Sequence, residues 1–205
     1  MQQINMVQRH VKLLESLHQH DPNSYQHSLR VATILWKFGK FLNIPKEKLA
    51  GLYKLGLLHD IGKLFTDKEV LTKKGKLTDL EYNHIKDHSL NGYKLLKKEG
   101  YPQLLLHGVL YHHENYDGSG YPSQISGDNI PWNAQMLRIV DSFDAMTNMR
   151  SYKKAFPLEW SINQLNKLRG VWYEPSLVTH FITMVENTDS GHLSDSKKVD
   201  DYNRE

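Results

Sequence analysis

The sequence predicts an all-α fold, and three observations carry that expectation. Apolar residues recur at steps of three and four in segment after segment, six of the seven prolines stand just ahead of those segments, and strand-like alternation over four or more residues is missing throughout. Pro22, Pro45, Pro102, Pro131, Pro157 and Pro175 each precede an amphipathic stretch, where the amide hydrogen that proline lacks would have had no intrahelical partner. In chain order the stretches read Val31, Leu35, Phe38, Leu42; Leu49, Leu52, Gly56; Leu105, Val109, His112; Leu137, Val140, Asp144; Leu158, Ile162, Leu165; and Leu177, Phe181, Met184. A further helix opens at Thr78, whose TDLE is a capping-box pattern, and Ile85, His88, Gly92 and Leu95 follow on one face. Two stretches are expected to be non-helical: 63–77, lysine-rich around Gly75, and 115–130, with Gly118, Gly120 and Gly127.

The 205 residues allow one core-building domain with appendages. Residues 1–20 carry Ile4, Val7, Val11 and Leu14 in two short heptads, expected to form an N-terminal helix that packs on the main domain or else dimerises. The main domain is expected to span 21–186. From 187 to 205 the composition turns polar and reads as a frayed tail. No run approaches the ~18 apolar residues of a spanning helix, and the first fifteen residues carry Arg9 and Lys12 with no apolar signal core, so a cytoplasmic location without membrane attachment is expected. A formal charge of +3 is too mild for a duplex-binding surface and leaves room for an anionic small ligand. The absence of cysteine excludes disulfides, thiolate zinc sites, iron–sulfur clusters and cysteine nucleophiles.

Against that absence stand twelve histidines. His59 and Asp60 sit at the end of an apolar helix in HDIGK, and both could reach one ion where the backbone leaves the helix, which Gly62 permits. Alone, the dipeptide is a weak signal. His112, His113 and Glu114 end another helix, and consecutive imidazoles point to different sides. Asp141, in RIVDSFDAM, is a carboxylate on an apolar helix and requires a cation or a hydrogen-bond donor. His27 and His88 each lie midway along an amphipathic helix, where a single histidine reads as a satisfied core residue sooner than as a ligand.

Jointly, HSLRVA, HDIGK, the helix with His88, HHENYDGSGYP and IVDSFDAMTNMRSYKK resemble the HD-GYP domains, a branch of the HD-type metal-dependent phosphohydrolases, from about Asp21 to Glu186. The resemblance implies an HD-type helical bundle with a glycine-rich GYP loop over a metal centre, and hydrolysis of cyclic di-GMP to linear pGpG, or further to GMP, by a metal-bridging hydroxide. It places metal ligands at His27, His59, Asp60, His88, His112, His113 and Asp141, with Asp60 bridging two divalent ions, iron or manganese. Lys63 is implied to contact the scissile phosphate or protonate the leaving oxygen, Tyr121 to orient substrate or water, and Arg150 and Lys153 to clamp the second phosphate. Tyr152 reads equally as packing. Family members with a third metal carry a Glu at the position of Asn23, so two ions are expected here. A cyclic dinucleotide is the implied substrate, and the resemblance admits a second copy of the chain or a diguanylate cyclase as partner. The competing reading is a non-catalytic sensor module, binding a cyclic dinucleotide or a protein, with a retained metal site.

Overall fold

A computed structural model describes residues 2–148 and 155–199, with side chains described for 8–148 and 155–188. Ten helices account for most of them: α1 (Gln2–His20), α2 (Pro22–Phe41), α3 (Lys46–Leu58), α4 (Lys68–Leu71), α5 (Asp79–Lys86), α6 (His88–Lys98), α7 (Gln103–Tyr111), α8 (Trp132–Thr147), α9 (Leu158–Lys167) and α10 (Pro175–Val199). No strand occurs among the described residues; one isolated bridge joins Arg169 and Tyr173.

Every proline expected to open a helix does so. Pro22 occupies the first turn of α2 behind the cap Asp21, whose Oδ1 accepts from the Asn23 amide at 3.1 Å and whose Oδ2 accepts from Ser24 Oγ at 2.6 Å. Pro45, Pro102, Pro131 and Pro157 stand at the residue before α3, α7, α8 and α9, and Pro175 begins α10.

The core lies where α2, α3, α7 and α8 meet. Val31, Leu35, Phe38, Leu58, Val109, Leu137 and Val140 are inaccessible to solvent, and truncating such a leucine to alanine typically costs about 2–5 kcal/mol. The α2–α3 contact is close because Gly56 carries no side chain, and a Cβ there would strike the backbone of Ala32. Phe181 of α10 closes the far side, edge-on to Phe38 and Phe143 with ring centroids 5.1 Å away from each.

Four sequence expectations are corrected. The helix opening at Thr78 is two helices, broken at Asp87, where His88 Nδ1 takes the Ile85 carbonyl at 2.7 Å. The stretch 63–77 contains the short α4, and a 3-10 turn runs from Ile61 to Phe65; a second such turn, Gly127–Asn129, falls within 115–130. In α1 Leu17 is buried with Leu13 and Leu14 partly buried beside it, Val11 is exposed, and the side chains of Ile4 and Val7 lie outside the described ones. Helix α10 runs past Asn187 to Val199, since extending a helix needs no new nucleus and no proline intervenes.

Candidate metal centre

Four helix ends and two helix faces converge on one buried cluster. His59 caps α3, Asp60 follows in the turn before Ile61–Phe65, His88 opens α6, and His112 caps α7. His27 comes from the buried face of α2 and Asp141 from that of α8. The exit of the chain from α3 depends on Gly62, though for contact and not for backbone freedom: its φ is ordinary and a Cβ would land on the His88 carbonyl oxygen. Thus HDIGK can lie directly against the start of α6.

Three imidazoles share one device. Nδ1 of His59, His88 and His112 donates to the carbonyl three residues earlier, on Gly56, Ile85 and Val109, at 2.8, 2.7 and 2.7 Å. A carbonyl accepts only a proton, so each ring is the Nδ1–H tautomer and turns an Nε2 lone pair inward. Burial holds these rings neutral: His59 and His112 fall below the ordinary histidine value, and His88 falls to about 4. The Nε2 atoms of His88 and His112 then face each other as two lone pairs at 3.2 Å, and the fully buried Nε2 of His59 has no hydrogen-bond partner.

The carboxylates complete the centre. Asp60 Oδ1 lies 3.4 Å from His88 Nε2, and its Oδ2 lies 3.5 Å from His59 Nε2 and 2.7 Å from Lys63 Nζ. Burial opposes its charge, yet Lys63 and the surrounding histidines hold its pKa well below the ordinary aspartate value. Asp141 Oδ1 lies 2.9 Å from His27 Nε2 and 3.9 Å from His59 Nε2. Three sets of donor atoms lie within 4.8 Å of one another: His88, His112 and His113; His27, His59 and Asp141; His59, Asp60 and His112. Unpartnered lone pairs, buried and beside carboxylates, fit a divalent cation, and the nitrogen–oxygen donor set suits iron, manganese, zinc or nickel. The seven residues inferred as ligands are therefore gathered at one site.

The loop 115–130 reaches this centre. Tyr121 lines the cavity, its ring stacked on His113 with centroids 4.8 Å apart, and its backbone amide donates to the His113 carbonyl. Gly118 takes a positive φ of 86°, whereas Gly120 is needed because a Cβ would meet the backbone of His113, Glu114 and Asn115. Glu114 does not join the cluster: its Oε1 accepts from the Ser123 and Gln124 amides at 2.6 and 3.1 Å and so ties down the loop. Arg150, Tyr152 and Lys153 lie outside the described residues.

Sequence reasoning missed Asp144 and Arg30. Asp144 is fully buried, its Oδ2 accepts from His27 Nδ1 at 2.6 Å, and Arg30 grips both its oxygens at 2.8 and 2.9 Å. Burial drags the His27 pKa down, but the bonds to Asp141 and Asp144 outweigh it and hold the value above the ordinary one. The signal was available as spacing: Arg30 follows His27 by three and Asp144 follows Asp141 by three, which puts both pairs on facing stripes of α2 and α8.

The cavity above these groups has a volume of about 470 Å³. A fully helical bundle with a His/Asp cluster at the floor of such a cavity defines an HD-type domain. Residues 9–177 match the family model described as HD domain. A cyclic di-GMP phosphodiesterase of Thermotoga maritima is 32% identical over 166 residues, covering 80% of this chain and 45% of that protein. A cyclic di-GMP phosphodiesterase response regulator of Xanthomonas campestris pv. campestris is 37% identical over 139 residues, covering 67% and 37%. A 3'3'-cGAMP-specific phosphodiesterase of Vibrio cholerae is 36% identical over 140 residues, covering 68% and 32%. Among solved structures, the PgpH HD domain of L. monocytogenes in complex with cyclic-di-AMP superposes with a TM-score of 0.61 at 16% identity, covering 88% of this chain and 96% of that one. That likeness concerns the fold. The chain belongs to the HD-domain family and spans less than half the length of the curated relatives it matches.

Proposed function

We propose that this chain is a metal-dependent phosphodiesterase domain that hydrolyses cyclic di-GMP to linear pGpG. The observation that carries the reading is the set of inward Nε2 lone pairs on His59, His88 and His112 beside Asp60 and Asp141, a cluster whose His88, Asp60 and Asp141 line a cavity of about 470 Å³. The names of relatives at 32–37% identity supply the substrate class.

In this reading His27, His59, Asp60, His88, His112, His113 and Asp141 would hold two divalent ions, iron or manganese. When bound, such ions supply Lewis acidity to phosphate oxygens and acidify water. The remaining chemistry belongs to the chain. Cleavage adds a water oxygen to phosphorus, breaks the P–O3′ bond and delivers a proton to the departing 3′ oxygen. Lys63, on Asp60 at 2.7 Å and mostly buried, is the ammonium nearest the reacting phosphate and the candidate donor of that proton. Tyr121 orients the substrate from the loop, while Arg150 and Lys153 hold the second phosphate.

Asn23 supports the count of two ions. It lines the cavity with a neutral amide, and the nearby Asp21 carboxylate is already engaged in capping α2. Linear pGpG should then be the main product, with GMP slow to form. The test is steady-state hydrolysis of cyclic di-GMP by anaerobically prepared, metal-loaded protein beside a His59→Ala control. Release of pGpG above the control is expected. Equal rates in the two would leave the sensor reading standing in place of the enzyme.

A further inference from the structure

Two large aromatic side chains stand exposed on the wall of the metal-centre cavity, Tyr82 at 50% and Trp172 at 39% of their full accessibility. Single exposed aromatics are ordinary. These two share features that scattered ones do not. Each has a cation over one ring face: Lys86 Nζ lies 4.5 Å from the Tyr82 centroid, and Arg138 Cζ lies 5.2 Å from that of Trp172. No other aromatic ring among the described residues stacks face to face on either one.

Both are firmly held. Tyr82 lies in α5, whose N-terminus is fixed by the reciprocal bonds of Thr78 and Glu81, with Lys86 one turn further along the same face. Trp172 sits in the turn between α9 and α10. Its amide donates to the Leu168 carbonyl at 2.9 Å, and its own carbonyl accepts from the Tyr116 amide at 3.2 Å, which ties it to the glycine-rich loop. Arg138 is pinned by Asn115 Oδ1, at 3.2 and 2.9 Å, and by Ser142 Oγ at 3.1 Å. Those partners are neutral, and no carboxylate among the described residues pairs with it, so its positive charge stays directed at the ring and at the cavity that Arg138 also lines.

A flat, rigid ring with one face taken by a cation and a cavity beside it accommodates a planar, electron-rich partner. On the reading that the cavity takes a cyclic dinucleotide, the ligand offers two such partners, one base on each nucleotide. We propose that Tyr82 and Trp172 are stacking platforms for the two purine bases, held by Lys86 and Arg138 from behind, while the phosphodiester between the bases meets the His/Asp cluster. Every base has a π-face, so stacking contributes affinity without choosing the base. Cyclic dinucleotides of either purine should use both platforms.

The test uses metal-loaded full-length chain and the hydrolysis-resistant bis-phosphorothioate of cyclic di-GMP in calorimetric titrations. Tyr82→Ala and Trp172→Ala should each raise Kd by about tenfold or more, and Tyr82→Phe and Trp172→Phe by less than about threefold. Metal content should be unchanged. With cyclic di-GMP as substrate, KM should rise in the alanine variants while kcat holds, and cyclic di-AMP binding should weaken in parallel. Alanine variants that keep Kd within about twofold would overturn the platforms, as would weakening confined to the guanine ligand. A wild type that binds the analogue yet does not hydrolyse cyclic di-GMP would sink the phosphodiesterase reading alone and leave the platforms standing.

Discussion

Each of His59, His88 and His112 spends its Nδ1 proton on a carbonyl of its own chain, and that fixes which nitrogen faces the cavity. The assigned ligands predict that His59→Ala and Asp60→Ala lower both metal content and turnover; near-native stoichiometry and rate in either variant would refute the assignment. A finer test concerns Asp144, which touches no part of the cluster except His27 Nδ1. Asp144→Asn should weaken metal affinity by about 10–100-fold, because the partner that orients the imidazole loses its charge. Chelator competition measures it, and unchanged affinity would show that His27 is held by packing alone. The adjacent His and Asp, the HHE run and the buried Asp141 were legible from residue type and spacing. Asp144 and Arg30 were not singled out, because even a carboxylate in an apolar stripe does not reveal its partner until the facing helix is known. Tyr82 and Trp172 were equally silent, since an aromatic on a helix or in a turn is ordinary until a cavity lies beside it.

Helix positions were legible because proline leaves a local mark on the backbone. Helix breaks were less so: the one at Asp87 arises from the His88 side chain competing for a carbonyl, an event the 3.6-residue period does not record. The roles of glycines were half legible. Gly62 and Gly120 are required by what presses against them, and such neighbours come from elsewhere in the fold. Gly62→Ala should therefore destabilise by about 1–3 kcal/mol and disturb metal binding together, as the 3-10 turn is pushed off α6. Thermal unfolding and metal analysis on the same sample check it. The cap of α5 makes a separate prediction. Lys73 and the Thr78 amide lower the Glu81 pKa from 4.5 to about 2. The folded value is the lower one, so this contribution is complete above about pH 4.5 and is lost as the pH falls toward 2. A carboxyl titration of Glu81 by NMR with a midpoint near 4.5 would refute it.

At the scale of the whole molecule, seven residues from α2, the α3 exit, α6, the α7 exit and α8 meet at one point, so the bundle and the centre depend on each other. Metal that binds only the folded chain must stabilise it, by about 4 kcal/mol when free metal exceeds Kd a thousandfold, and chelation should lower Tm accordingly. The all-α class followed from local signals: the apolar period, the placement of the prolines and the missing strand-like alternation. That the distant motifs share one cavity followed only from their resemblance to a family, since no local pattern reports a contact such as His27 to Asp144 across 117 residues. The central claim is a two-ion phosphodiesterase centre, and an anaerobic titration of metal-free protein with iron or manganese tests it most directly, following bound metal per chain and pGpG release from cyclic di-GMP together. The account predicts that hydrolysis emerges with the second ion and levels off at two per chain. Full activity with a single ion, or no hydrolysis with two ions bound, would contradict it.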